Sequence, residues 1–164
     1  MASVQDKFMG MQRPDPGHAD ADGTEGKVSV FVVENLFDMR ARLRLLLHDM
    51  PEVRIVGHAL IDTMAAVRIH TLQPDVVILN PDLLHGFCLE FLRHLRQSRP
   101  AIKTIVSANG LGESRLEDYR LAGADFIFDL SYQFRQLRET LAGLAHAGRP
   151  DRNQCPLSLM QVAH

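Results

Sequence analysis

The sequence predicts an α/β fold in which five parallel strands alternate with five crossover helices. Three observations predict it. Short apolar runs rich in β-formers recur at residues 28–33, 53–57, 75–79, 102–106 and 125–128. Helical patterns separate them, near residues 36–49, 62–71, 87–98, 113–122 and 133–146. A regular alternation of the two calls for parallel pairing, because a connection that holds a helix brings the chain back to the same end of the sheet.

Each element has a local reason. Asn35, followed three residues on by Asp38, is an N-cap arrangement for the first helix. Pro74 and Pro100 precede the third and fourth strands, where a helix is not continued. Gly123 stands where a C-terminal cap ends the fourth helix. The fifth helix places Phe134, Leu137, Leu141, Leu144 and Ala145 on one stripe, suited to packing against a sheet.

The outer segments differ in texture. Residues 1–26 mix Asp, Gly, Pro, Gln and Met without a period of 2 or 3.6, the profile of a disordered leader. Past residue 147 the pattern dissolves, so 148–164 is expected to be a flexible tail. The folded part is then 27–147, one domain in a chain of 164 residues that is 46% hydrophobic.

Composition excludes several function classes. A net charge of -2 and a pI near 6.4 provide no global attraction to nucleic acid or to anionic lipid. No apolar run approaches the roughly 18 to 20 residues of a membrane helix. Cys88 and Cys155 form no CxxC spacing, and the first residues lack a secretory pattern, so a cytoplasmic chain with reduced thiols is expected. Eight histidines occur, none in HExxH or paired i, i+4 spacing on a predicted helix. The stretch Asn109-Gly110-Leu111-Gly112 lacks P-loop spacing and its lysine, and reads as a mobile loop.

The most informative residue is Asn80, which ends the third strand. Its amide carries no charge and is a poor nucleophile, unlike a carboxylate in the same place. Asn80-Pro81 is also a turn initiator, and the two readings are compatible.

Five segments together carry a resemblance. They are Val30-Phe31-Val32-Val33-Glu34-Asn35, Val53-Arg54-Ile55-Val56-Gly57, Gln73-Pro74-Asp75-Val76-Val77-Ile78-Leu79-Asn80, Ile105-Val106-Ser107-Ala108 and Ala122-Gly123-Ala124-Asp125-Phe126-Ile127-Phe128-Asp129-Leu130-Ser131. In this order and spacing, residues 27–145 resemble the receiver domain of bacterial two-component response regulators. The resemblance implies a flavodoxin-like three-layer sandwich with a sheet of order 2-1-3-4-5. Its functional pocket would lie at the carboxyl ends of strands 1, 3, 4 and 5.

The resemblance also implies which residues fill that pocket. The acid pair that holds Mg2+ falls on Glu34 and Asn35, the phosphoacceptor on Asn80, the hydroxyl on Ser107 and the lysine on Leu130. Only Glu34 and Ser107 keep suitable chemistry, so Mg2+ binding is expected to be lost or weak. Further departures are Ile127 in place of an aromatic, and Leu84 and Cys88 where Pro and Gly are usual. The expected function is that of an atypical receiver without catalytic residues, working by protein-protein contact without phosphorylation. Its partner would be a histidine kinase or another regulator.

Other readings compete. Asp82, two residues past Asn80, is a surrogate phosphoacceptor in one alternative; a small-ligand-binding regulatory domain is another. A small enzyme using Glu34, Asp82 or Asp129 lacks a nucleophile, base and orienting group in combination. Asn35 reads first as a helix cap, Glu34 as an acid without a task, and Ser107 as a strand-end hydroxyl bonded to backbone. By analogy with the family, the face of the fourth helix, fifth strand and fifth helix is the candidate surface for a partner or a homodimer. Arg115, Tyr119, Arg120 and Tyr132 are its expected exposed anchors.

Overall fold

The fifth strand and fifth helix complete a doubly wound α/β sheet in the computed structural model, which describes residues 26–34, 37–60, 63–81 and 85–148. The elements in chain order are β1 Val28–Val33, α1 Phe37–His48, β2 Val53–Ala59, α2 Thr63–Leu72, β3 Val76–Leu79, α3 His85–Ser98, β4 Lys103–Ala108, α4 Glu113–Ala122, β5 Phe126–Asp129 and α5 Phe134–His146. All strand pairs are parallel and the sheet order is β2-β1-β3-β4-β5. Apart from Gly26 and Gly148, the leader and tail expected from the sequence lie outside the described residues, as does Asn35 with its capping role.

Burial on both faces explains the unbroken apolar runs. Every residue of β1 and β3 is buried. Alternate side chains of a strand point to opposite faces, and the two resulting layers are distinct. Val30, Val32, Val76, Ile78 and Ile105 pack under α1 and α5, together with Leu43, Leu137 and Leu141. Phe31, Val33, Val77, Leu79 and Val106 pack under α2, α3 and α4, together with Ile69, Leu92 and Tyr119. The stripe expected on α5 is the one that packs, and Arg42 of α1 lies over the Phe134 ring at 4.6 Å.

β2 runs two residues further than its apolar pattern suggests. The register shifts between Val30 and Phe31, which pair with Ile55 and Gly57, so the β2 strand carries an extra residue there. A Cβ at Gly57 would stand 2.8 Å from Phe31 Cε2, so only glycine lets this strand approach the ring.

Two matching clamps close the amino-terminal end of the sheet. Asp75, before β3, accepts from Ser29 N–H at 2.8 Å and from its hydroxyl at 2.5 Å. Asp125, before β5, accepts from Thr104 N–H at 2.8 Å and from its hydroxyl at 3.0 Å. Arg96 reaches the other Asp125 oxygen at 3.2 Å and thereby ties α3 to β5. Each clamp satisfies edge amides that the sheet ladder has not yet reached.

Gly123 ends α4 in the left-handed conformation, φ 103°. Its N–H donates to Arg120 O and that of Ala124 to Tyr119 O, both at 3.0 Å, which is the Schellman pattern. A Cβ there would also meet Arg96 Cγ at 3.1 Å. Gly123→Ala is therefore expected to lower stability by about 1–2 kcal/mol, read as a lower denaturant midpoint at an unchanged slope. An unchanged midpoint would show that this turn is not strained by a side chain.

Candidate functional site

At the carboxyl end of the sheet, β1 and β3 finish level with one another, and β4 runs two residues further, to Ala108. Val33 pairs with Leu79, and Leu79 with Val106. The next residues in register, Glu34 and Asn80 just past their strands and Ser107 within β4, therefore form one row across three strands. Alternation sets their direction: each follows by two positions a residue of the α1/α5 layer, namely Val32, Ile78 and Ile105. Leu130 follows Phe128 of β5 in the same way and belongs to that layer itself. The four positions thus share one end and one face of the sheet.

All four are buried. Glu34 is 2% exposed, Asn80 4%, and Ser107 and Leu130 are fully covered. Backbone bonds hold the row in place: Asn80 N–H donates to Val33 O at 3.0 Å, Glu34 N–H to Ala59 O at 3.0 Å, and Leu130 N–H to Ala108 O at 2.9 Å. The Ser107 hydroxyl lies 3.4 Å from Leu79 O as donor, which agrees with the plain reading of a strand-end hydroxyl bonded to backbone. One carboxylate, one amide and one hydroxyl thus share this end and face of the sheet with an apolar side chain. Asp82 lies outside the described residues.

Asp129, considered from the sequence only as an acid or base, has a different task. Its carboxylate accepts from Gly110 N–H and Ser131 N–H, each at 2.9 Å, and so ties the β4–α4 loop to the end of β5. Those bonds, led by the Ser131 amide, hold its carboxyl below the usual aspartate range despite some opposing desolvation. The Asp129 amide donates to Gln133 Oε1 at 2.7 Å, at the entry to α5. No sequence signal announces this role, since its partners are 19 residues away and in the next turn.

The expected partner face needs one correction. Tyr119 is fully buried and is not an exposed anchor. α4 is a ten-residue helix that buries only Tyr119 and Ala122, three positions apart, and the ring fills the layer against Phe91, Leu95 and Val106. Arg115, Arg120 and Tyr132 are exposed as expected. Leu121, 76% exposed on α4, was not singled out from the sequence; an isolated leucine in a helical pattern carries no mark of its side.

Cys88, at the first turns of α3, is buried, and desolvation pushes its thiol up to about 12. Among the described residues no group of three or more His, Cys, Asp or Glu side chains is placed to hold a metal ion. Among them also, no helix is long and apolar enough to cross a membrane.

No family model matches the chain. It is 27% identical over 103 residues to a protein-glutamate methylesterase/protein-glutamine glutaminase of Geobacter sulfurreducens, covering 62% of this chain and 27% of that protein. It is 31% identical over 97 residues to the DNA-binding transcriptional activator DevR/DosR of Mycobacterium tuberculosis, covering 59% of this chain and 45% of that protein. The chain thus spans less than half the length of these curated relatives. Among solved structures, the signal receiver domain of a DNA-binding response regulator from Colwellia psychrerythraea superposes with a TM-score of 0.64 at 20% identity, over 73% of this chain and 99% of that one. The chain shares the fold of that receiver-domain structure.

Two expectations follow from burial. Tyr119→Ala is expected to cost about 3–5 kcal/mol of stability, whereas Arg115→Ala and Arg120→Ala stay within about 0.5 kcal/mol; chemical denaturation of the three variants compares them. A Tyr119→Ala protein as stable as the native one would place that ring outside the core. In a Cys155→Ser background, Cys88 should resist a thiol reagent at neutral pH and react fully once the protein is denatured, as read by intact mass.

Proposed function

We propose that this chain is an atypical receiver, a regulatory module of a two-component or phosphorelay pathway that acts by protein-protein contact and forms no aspartyl phosphate. The observation that carries the reading is the buried row Glu34, Asn80 and Ser107 with Leu130 beside it on the same face. Phosphoryl transfer to a side chain needs a nucleophile, and an amide at position 80 is not one. It also needs the developing charge to be neutralised, a task for which a fully buried leucine has no charge to offer. Mg2+ takes several hard, charged oxygens in near-octahedral geometry, so one carboxylate with an amide and a hydroxyl does not fit it.

The substitutions support one another. A lysine at position 130, buried in the α1/α5 layer, would pay a desolvation cost that a neutral Asn80 could not offset. Leu130 instead extends the apolar layer by one side chain. What remains of the receiver is then its surface. Arg115, Arg120 and Leu121 of α4 and Tyr132 after β5 are among the exposed residues of this region, and we take the α4, β5 and α5 face as the surface for a histidine kinase, another regulator or a second copy. A methylesterase and a DNA-binding activator share no chemistry, so similarity to both supports a regulatory, non-enzymatic module. A cytoplasmic place and independence of nucleic acid and membrane go with this reading.

Intact mass after acetyl phosphate treatment with Mg2+, together with Mg2+ calorimetry, tests the reading on the native protein and on Asn80→Asp. The native chain should gain no phosphoryl group and give no binding heat. Asn80→Asp should recover only poorly, since Leu130 still supplies no counter-charge. A stable phosphoryl adduct on the native chain would overturn the proposal, and full rescue by the single substitution would show that the rest of the pocket is intact.

A further inference from the structure

A shallow groove of about 770 Å3 runs between α1 and the edge strand β2, far from the row just described in chemistry and independent of its reading. Its floor is apolar, while its rim carries Arg40, Arg44 and His48 from α1 and Arg54 and His58 from β2. Among the described residues no carboxylate lines it. Arg68 of α2 adds another cation beside it, donating to His58 O at 2.8 Å. Among the described residues no ion pair joins Arg44 or Arg54 to an acid, and His48 meets only its neighbour Asp49, at 3.3 Å.

The arrangement concentrates like charge. Arg40 and Arg44 stand on successive turns of one helix face, about 6 Å apart, where like charges repel. Arg54 and His58 are four residues apart on a strand, about 13 Å. His58 responds to this field: its pKa lies below the ordinary value, first through burial and then through Arg40, Arg68 and Arg44. A ligand that answers such a groove is extended and carries several negative charges at intervals of a few ångströms.

The chain supplies one. Residues 15–25 contain Asp15, Asp20, Asp22 and Glu25 and neither lysine nor arginine. They join the described chain at Gly26, which turns with φ 87° directly before β1. That junction lies at the foot of the groove, because Val28 pairs with groove residue Val53 and donates to Glu52 O at 2.7 Å. Ten residues reach at most about 33–36 Å, and the seven residues of β2 span about 20 Å.

We propose that the acidic stretch 15–25 of this chain occupies the cationic groove between α1 and β2. Tethering at Gly26 gives the segment an effective local concentration in the millimolar range, enough for contacts that are individually weak. An acidic partner would have to displace it.

The full-length, 15N-labelled chain tests this. In a variant with Asp15, Asp20 and Asp22 changed to Asn and Glu25 to Gln, amide signals of 40–48 and 53–59 should shift, and β2 amides should exchange several-fold faster. Salt at about 0.5 M, where screening acts within a few ångströms, should move the native signals the same way and leave the variant unchanged. Identical spectra for native and neutralised chains would overturn the proposal. A nitroxide on Ala21→Cys, in a Cys155→Ser background, separates the sources. Broadening of groove signals that persists when the 15N, nitroxide-bearing chain is diluted with excess 14N chain lacking the label supports the tethered occupant, whereas broadening lost on that dilution, and seen in 15N chain lacking the label once nitroxide-bearing chain is added, assigns the groove to another copy and overturns it. No broadening in either case overturns it as well.

Discussion

Parallel strands covered on both faces leave their peptide groups no access to water, so the N–H and C=O groups of β1, β3 and β4 have to find partners within the fold, most of them in a neighbouring strand and a few in side chains such as Asp75 and Asp125. That demand fixes the register, and the register places everything else. With Val33 opposite Leu79 and Leu79 opposite Val106, the residues one step further on, Glu34, Asn80 and Ser107, must lie level and on one face. A slip of one position would turn every one of these side chains to the other layer. The apolar layers under α1/α5 and under α2/α3/α4 are therefore also what aligns Glu34, Asn80 and Ser107.

The two ends of the sheet use polar chemistry differently. At the amino-terminal end, Asp75 and Asp125 each accept from an amide and a hydroxyl of the adjacent strand, and Asp125 also meets Arg96 and Lys103. These carboxylates are satisfied by the fold and have structural tasks. At the carboxyl end the buried polar row carries a single acid, and the neighbouring strand contributes Leu130. Paired carboxylates thus close one end of the sheet, while the other end buries a polar row with one acid. A buried charge without its counter-charge is costly, which makes the composition of such a row matter.

Surface electrostatics follow a separate logic. The overall charge is only -2, yet cations gather along α1 and β2 while the acids of 15–25 precede β1. Near-neutral totals conceal such segregation, which acts over about a Debye length and not over the whole molecule. The edge position of β2 matters here, because among the described residues no further strand pairs with its outer side.

Much of this was legible in the residues alone. Apolar runs separated by helical patterns set the five strands and five helices, to within two residues at most ends, because burial on both faces demands continuous apolar strands. The chemical identity of the site was equally local: an amide at 80 and a leucine at 130 are what they are in any fold. Tertiary structure decided the rest. Tyr119 could face solvent or core with equal propriety, and only the docking of α4 against α3 and the sheet turned its ring inward. Asp129 became the anchor of the β4–α4 loop through Gly110, and Arg40 and Arg44 became one rim of a groove whose other rim is Arg54 and His58. A sequence pattern encodes which side chains avoid water, whereas which of them meet depends on contacts between elements far apart in the chain.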